Sequence, residues 1–343
     1  MHRLSGLLVA CSLVALLAAC VPPVAADVES DPPSESAALP TPEPTVLPRP
    51  DLAFGGDCTA IFADGELSAL VGTDVVLAPA SMPGRGSAVE VLGGTSCTWA
   101  DPSGVHPVWL TVIPASGLDE VIAEASTDQP WCYGSDDLVG VEGTCSFSTV
   151  VDGYWLSGVF NVASASGQRA TDGIDALSEL LASRAATVPA SAIARPVGMW
   201  TAVADCSGLA ARIDTATALG GDALTAVKGS AGGEAGPGFY GSLDAVGHRA
   251  CIWSAADGEY RFETDILPGA GWVVPQLVAS GVGTAVTLDG TVAAVSVEHD
   301  GHATTIFATD GVNLVSVNMP SGNIPPEQVP ALVSTILRGA ASS

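Results

Sequence analysis

Apolar residues recur along this chain at two periods. Near the C-terminus Val329, Leu332, Val333, Ile336 and Leu337 stand at i, i+3, i+4, i+7 and i+8, the spacing of one buried helix face. Ile174, Leu177, Leu180 and Leu181 predict a similar helix earlier in the chain. Tyr260 to Ile266 alternates apolar with polar, which predicts a strand with one face buried and the other in water. Its partner is Cys251 to Ala255, turned at Asp257-Gly258. Cys97 to Ala100 and Pro107 to Ile113 predict an earlier pair of the same kind. Further helices are expected over Asp64 to Val71, Leu118 to Ala125, Ser207 to Leu219 and Trp272 to Ala279. Asp64 is the expected N-cap of the first and Gly72 its C-cap. Three more strands follow each middle helix, with hairpin signals at Asp152-Gly153, Asp300-Gly301 and Asp310-Gly311.

These elements form an internal repeat. Asp57-Cys58 recurs as Asp205-Cys206, and a glycine follows each cysteine by fourteen residues, Gly72 and Gly220. Cys97-Thr98-Trp99 recurs as Cys251-Ile252-Trp253. Fifteen residues past each tryptophan comes a Pro-x-x-Gly, Pro114 to Gly117 and Pro268 to Gly271. Each copy ends in a patterned helix. The reading is two copies of one domain, 53–187 and 201–340, joined by a linker at 188–200 that holds Pro189 and Pro196. Hairpin-linked strands imply antiparallel sheets, which helices must cover. The expected class is α+β: two tandem repeats, each an antiparallel sheet covered by helices and stapled by a disulfide. Each copy is expected to fold by itself.

The chain has 343 residues and a formal net charge of -26. All 37 acidic residues follow Cys20. Such a protein is repelled by nucleic acid and by anionic headgroups, which excludes nucleic acid as a partner and argues against a basic membrane-surface helix. Six cysteines lie after Cys20. No Cys-x-x-Cys is present and no histidine stands at finger spacing, so disulfides are the reading. The positions shared by both copies pair as Cys58–Cys97 and Cys206–Cys251, leaving Cys132–Cys145 as a staple of the first copy alone. Closing a loop of about 40 residues stabilises by roughly 4 kcal/mol in the chain-entropy model, and the shorter loop by about 3.

The first residues carry an address. A basic start, an apolar run from Leu4 to Leu17 and then Leu17-Ala18-Ala19-Cys20 resemble a bacterial lipoprotein signal. The resemblance implies removal of residues 1–19, lipidation of Cys20 with diacylglycerol, and a partner in the membrane through that anchor. Residues 20–52 form a Pro-rich tether, with nine prolines among 21–52. Extended, it spans on the order of 90 Å at ~3.1 Å per residue. Lipobox, tether, Asp-Cys before a helix and Cys-x-Trp on a strand together resemble a group of actinobacterial cell-surface lipoproteins. These are known only as a domain-of-unknown-function family, in which one such domain is usual. The resemblance covers both copies and carries over no catalytic residue. It implies an extracytoplasmic, lipid-anchored location at the bacterial cell membrane.

Signals for catalysis are few. No Gly-x-Ser-x-Gly elbow and no Ser-x-x-Lys set occurs, and no histidine has an evident acid and nucleophile beside it. Glu298-His299-Asp300-Gly301-His302 is the strongest metal candidate, but Asp-Gly there also makes a tight turn, and the turn reading is preferred. Gly232 to Gly238 is glycine-rich without an evident strand before it or helix after it, and reads as a loop rather than a phosphate cradle. Asp136, Asp137 and Glu142 read as a solvated acidic loop. No metal, cofactor or catalytic residue is assigned. The aromatics Trp131, Tyr133, Tyr154 and Trp155 gather around Cys132 in the first copy; packing around the disulfide is the preferred reading, and as the alternative they are the candidate contacts for an envelope glycan, lipid or peptide. The expected function is a non-enzymatic ligand-binding or sensing module. A structural or partner-regulating surface protein is the alternative, and an envelope hydrolase ranks third.

Overall fold

The computed structural model describes residues 45–79, 84–103, 108–126, 131–133, 143–162, 167–191, 194–221, 223–230, 236–299 and 301–341. Cys20, most of the tether, Asp136, Asp137 and Glu142 lie outside them. The first repeat opens with a 3-10 turn (Ala53–Gly56) and runs α1 (Cys58–Ile61), α2 (Asp64–Val71), β1 (Val76–Leu77), α3 (Ser87–Val91), β2 (Thr95–Ala100), β3 (Val108–Pro114), α4 (Asp119–Ala125), β4 (Trp131–Tyr133), β5 (Gly143–Val151), β6 (Tyr154–Val162) and α5 (Gly167–Ala185). The second runs α6 (Cys206–Arg212), α7 (Thr215–Leu219), β7 (Thr225–Lys228), α8 (Pro237–Val246), β8 (Arg249–Ser254), β9 (Tyr260–Leu267), α9 (Val273–Ala279), β10 (Thr284–Val286), β11 (Ala293–His299), β12 (Ala303–Thr309), β13 (Leu314–Pro320) and α10 (Val329–Ala341).

Two antiparallel sheets result. Their strand orders correspond: β1-β2-β3-β6-β5-β4 in the first and β7-β8-β9-β13-β12-β11-β10 in the second, which has one strand more. The expected class is therefore the observed one. All three bridges are formed: Cys58–Cys97, Cys132–Cys145 and Cys206–Cys251, with Cα–Cα separations of 5.7, 4.1 and 5.6 Å. None joins the repeats.

The repeated Asp-Cys has a local cause. Asp57 accepts the backbone N–H groups of Thr59 and Ala60 at 2.9 and 3.4 Å, and Asp205 accepts that of Gly208 at 2.7 Å. Each aspartate caps the helix that carries the cysteine, and the cysteine is bridged to the Cys-x-Trp strand. Two details differ from expectation. Asp64 lies inside α2 rather than capping it: Glu66 reaches back to the Ala63 N–H, and Asp64 accepts Trp99 Nε1–H at 3.1 Å. The helix expected over Ser207 to Leu219 is two helices, because Ile213 turns into the core and Asp214 starts α7 by capping the Thr217 N–H. Asp152-Gly153 makes the expected two-residue hairpin, with both residues at positive φ.

Each sheet carries a core cluster on both faces. On the outer face of the first, Trp99, Leu110, Leu156 and Phe160 meet Leu177 and Leu181 of α5. On the outer face of the second, Trp253, Phe262, Val315 and Val317 meet Leu332 and Ile336 of α10. The two inner faces share a third cluster, joining Ile113 and Trp155 to Leu267, Phe307 and Leu314 through α3, α4, α8 and α9. Residues 44–343 accordingly form one compact unit. The repeat divides the sequence into two sheets, but the middle of the core belongs to both copies.

Helix α8 makes the closest approach. It leaves the second repeat and lies on the first sheet, where Gly238 N–H donates to Ser157 Oγ at 2.6 Å. A Cβ on Gly238 would stand 2.5 Å from Thr111 Oγ1 and 2.7 Å from Ser157 Cβ. Phe239 packs on Trp109 with ring centroids 5.8 Å apart. The glycine-rich stretch read as a loop thus leads into a helix whose glycines let it touch a sheet. Residues 45–49, read as tether, lie against the same seam. Leu47 N–H donates to Gly311 O at 2.9 Å, and Arg49 pairs with Glu90 at 2.8 Å while lying 5.3 Å over the Trp272 ring.

Gly238→Ala is expected to cost about 1–3 kcal/mol, because overpacking outweighs the gain in helix propensity. Gly65→Ala in α2, where a Cβ meets nothing within 4 Å, is expected to be neutral or to stabilise by ~0.5–1 kcal/mol. Denaturant unfolding of the full chain measures both. A neutral Gly238→Ala would mean that α8 does not rest on the first sheet.

Candidate functional site

Of the aromatics singled out from sequence, Trp131, Tyr154 and Trp155 are not brought together. Tyr154 and Trp155 are neighbours on β6, so their side chains leave opposite faces of the sheet. Tyr154 is buried in the outer core, with its ring 5.2 Å from Phe54 and its hydroxyl donating to Val188 O at 2.9 Å. Trp155 is buried in the shared cluster, and its Nε1–H donates to Ser148 Oγ at 2.7 Å. Trp131, on edge strand β4, is 63 % exposed. The side chain of Tyr133 lies outside the described residues.

Polar groups converge elsewhere, on the inner face of the second sheet. Strand pairing shows why. Thr111 lies opposite Ser157 in the first sheet, and Asp265 lies opposite Ser316 in the second. Cys97 and Cys251 fix the correspondence, since they pair with Leu110 and Thr264, the residues just before Thr111 and Asp265. In the first sheet the Thr111–Ser157 position is filled by Gly238 of α8. The matching helix of the first repeat, α3, has only five residues against ten in α8. The second sheet is therefore left partly uncovered, and a cleft of about 200 Å³ opens there.

Leu267, Phe307 and Leu314 line this cleft on its apolar side, where the shared cluster comes to the surface. Arg85, His248, Asp265, His299, Thr305, Ser316 and Asn318 give its polar side. Arg85 comes from the first repeat and crosses to Asp265, with Nε 2.6 Å from Oδ1 and Nη2 3.3 Å from Oδ2. Its Nη1 donates to Ser230 O at 2.8 Å. His248 Nε2 lies 2.9 Å from Asp265 Oδ1, and His299 Nε2 lies 2.9 Å from Thr305 Oγ1. Burial alone would raise the Asp265 pKa. Hydrogen bonds from His248 and Arg85, with the Arg85 charge, outweigh it and hold the carboxyl below its ordinary value. Asn318 Oδ1 is buried and has no hydrogen-bond partner. A buried acceptor without a donor is costly, and here it sits at a cleft.

The arrangement suits binding. Apolar lining with a few convergent polar groups is the usual form of a small-molecule site. Sequence reasoning missed it because its parts come from both repeats, with Arg85 and Asp265 180 residues apart. The His299-to-His302 segment makes a turn, in which His302 N–H donates to His299 O at 2.9 Å, while Glu298 accepts Thr304 Oγ1–H at 3.1 Å. Asp300 lies outside the described residues. Among the described residues, no three His, Cys, Asp or Glu side chains are grouped to hold a metal ion.

Asp265 makes a pH-dependent contribution. A carboxyl with a depressed folded-state pKa stabilises above its unfolded pKa and loses that stabilisation as pH falls through the folded value. Asp265→Asn should therefore be less stable than wild type at pH 7. The gap should narrow progressively below about pH 4. Denaturant unfolding of the two proteins across this range measures it, and a gap independent of pH would refute the ion-pair account.

No protein-family model matches this chain. No curated protein matches it either. Among solved structures, a di-domain ARO/CYC, StfQ, from the steffimycin biosynthetic pathway aligns over 82% of this chain and 94% of its own, at 9% sequence identity. Its TM-score is 0.15, too low to support any argument about fold or activity.

Proposed function

We propose that this protein is a non-enzymatic ligand-binding or sensing module of the bacterial envelope, held at the cell membrane through a diacylglyceryl group on Cys20. The ligand is assigned to the cleft between the repeats, and a neutral envelope glycan, lipid or peptide is the expected class. One observation carries this reading: the unpaired acceptor of Asn318 beside an apolar floor of Leu267, Phe307 and Leu314. A ligand offering an N–H or O–H to Asn318 and an apolar group to the floor meets both needs. Arg85 and Asp265 already neutralise each other, which favours an uncharged ligand. The Leu17-Ala18-Ala19-Cys20 segment supports the anchor, and the net charge of -26 disfavours nucleic acid. The resemblance to actinobacterial surface lipoproteins points to the same location.

A partner-regulating surface protein is the second reading. Trp131 and Val150, both exposed, favour it: they stand on one face near the edge of the first sheet, suited to a protein contact.

Ligand-observed NMR of the full-length protein in detergent, against neutral envelope glycans, lipids and peptides, tests the first reading. Asn318→Leu should weaken any binding about five- to tenfold while the fold stays intact, since it removes an unpaired acceptor. Binding kept in Asn318→Leu and lost in Trp131→Ala would overturn the cleft assignment. In cells, Cys20→Ser should move the protein out of the membrane fraction, and unchanged membrane retention would refute the anchor.

A further inference from the structure

A second concavity lies on the far side of the second repeat, between α7, the loop after β10 and α10. Its volume is about 590 Å³, within the range of small-ligand sites. Three carboxylates line it, Asp214, Asp289 and Glu327, against one cation, Arg338. Asp214 is already engaged by Thr217, and Arg338 donates to Thr335 on its own helix at 3.2 Å.

Ser334 supplies the independent observation. It lines the groove, is 5 % exposed, and its Oγ has no hydrogen-bond partner. Five other helical serines use their hydroxyls: Ser178, Ser183 and Ser242 turn back onto their own helices at 2.8, 2.8 and 2.6 Å, Ser68 bonds Val75 O and Ser207 bonds Asp205. Ser334 differs from them in leaving both a donor and an acceptor unused.

The first repeat shows the alternative arrangement. There the first-repeat helices α2 and α5 are bridged by Arg184, which reaches Glu66 Oε1 and Oε2 at 2.7 and 2.6 Å. The corresponding helices of the second repeat have no such pair among the described residues, and the groove opens beside them. Its carboxylates come from three separate elements, and no three metal-binding side chains are grouped there. A bare divalent ion needs converging ligands. An extended organic cation does not.

We propose that this groove is a second binding site, which takes an organic ammonium: Asp289 and Glu327 attract the charge and Ser334 accepts an N–H. The proposal is independent of the cleft, because it rests on other residues.

Isothermal titration calorimetry of the full-length protein at low salt, with cadaverine as probe, tests it. Glu327→Gln and Asp289→Asn should each weaken binding at least fivefold. Ser334→Ala should weaken it about three- to tenfold while raising the Tm of the ligand-free protein by about 1–3 °C, since it removes an unpaired buried hydroxyl. Asn318→Leu should leave cadaverine binding unchanged. Glu124→Gln, an exposed carboxylate on α4, controls for the general attraction of an acidic protein. An equal loss in Glu124→Gln, or full affinity in Ser334→Ala, would overturn the proposal. So would saturation by calcium chloride without any response to cadaverine.

Discussion

Each repeat builds a sheet that it cannot cover alone, and the rest of the structure follows from that constraint. The outer faces are covered within each copy by α5 and by α6 with α10. The inner faces are apolar too, with Trp155 and Ile113 on one and Phe307, Leu314 and Leu267 on the other. Two such faces exposed to water would be unstable and prone to associate. Burying them together, with helices between, turns two incomplete domains into one body. Because α8 is long and α3 short, the middle of the first sheet is covered at Thr111 and Ser157, while the matching part of the second is not. The cleft is the remainder of that mismatch.

The same mismatch explains where charge sits. At matched positions of the two sheets, Thr111 with Ser157 receives a backbone N–H, while Asp265 with Ser316 receives a guanidinium. A helix backbone fills the first position. At the second, Arg85 reaches across from the turn before the shorter α3, because a long side chain can span what a short helix cannot. Partial burial strengthens that ion pair, and His248 shares the carboxylate. The link between the repeats is thus part apolar and part ionic, and its ionic part lines the cleft.

Much of the architecture was legible in sequence. The end helices carry strong 3.6-residue periodicity in Leu332, Val333, Ile336 and Leu337, and two bridges were fixed by a cysteine pattern that occurs twice, which left Cys132 and Cys145 for the third. What escaped has physical reasons. Helix α8 begins Pro-Gly-Phe-Tyr-Gly, and glycines that permit contact with a sheet look the same in sequence as glycines of a loop. The cleft combines residues from both copies, and no local pattern announces a contact between Arg85 and Asp265. The aromatic group divides between packing and exposure. Packing is the preferred reading from sequence, and alternation along β6 sends Tyr154 and Trp155 to two separate cores, while Trp131 on edge strand β4 stays exposed.

The segment from Thr45 to Arg49 bears on how the molecule carries mechanical load. A pull arriving along the chain from its N-terminal side reaches Leu47 and Arg49 before it reaches any strand. Leu47 holds the loop after β12 through Gly311, while Arg49 holds α3 through Glu90 and stacks on Trp272 of the second repeat. Force is therefore divided between both repeats at their common seam. The sheets behind it are sheltered until those few bonds part.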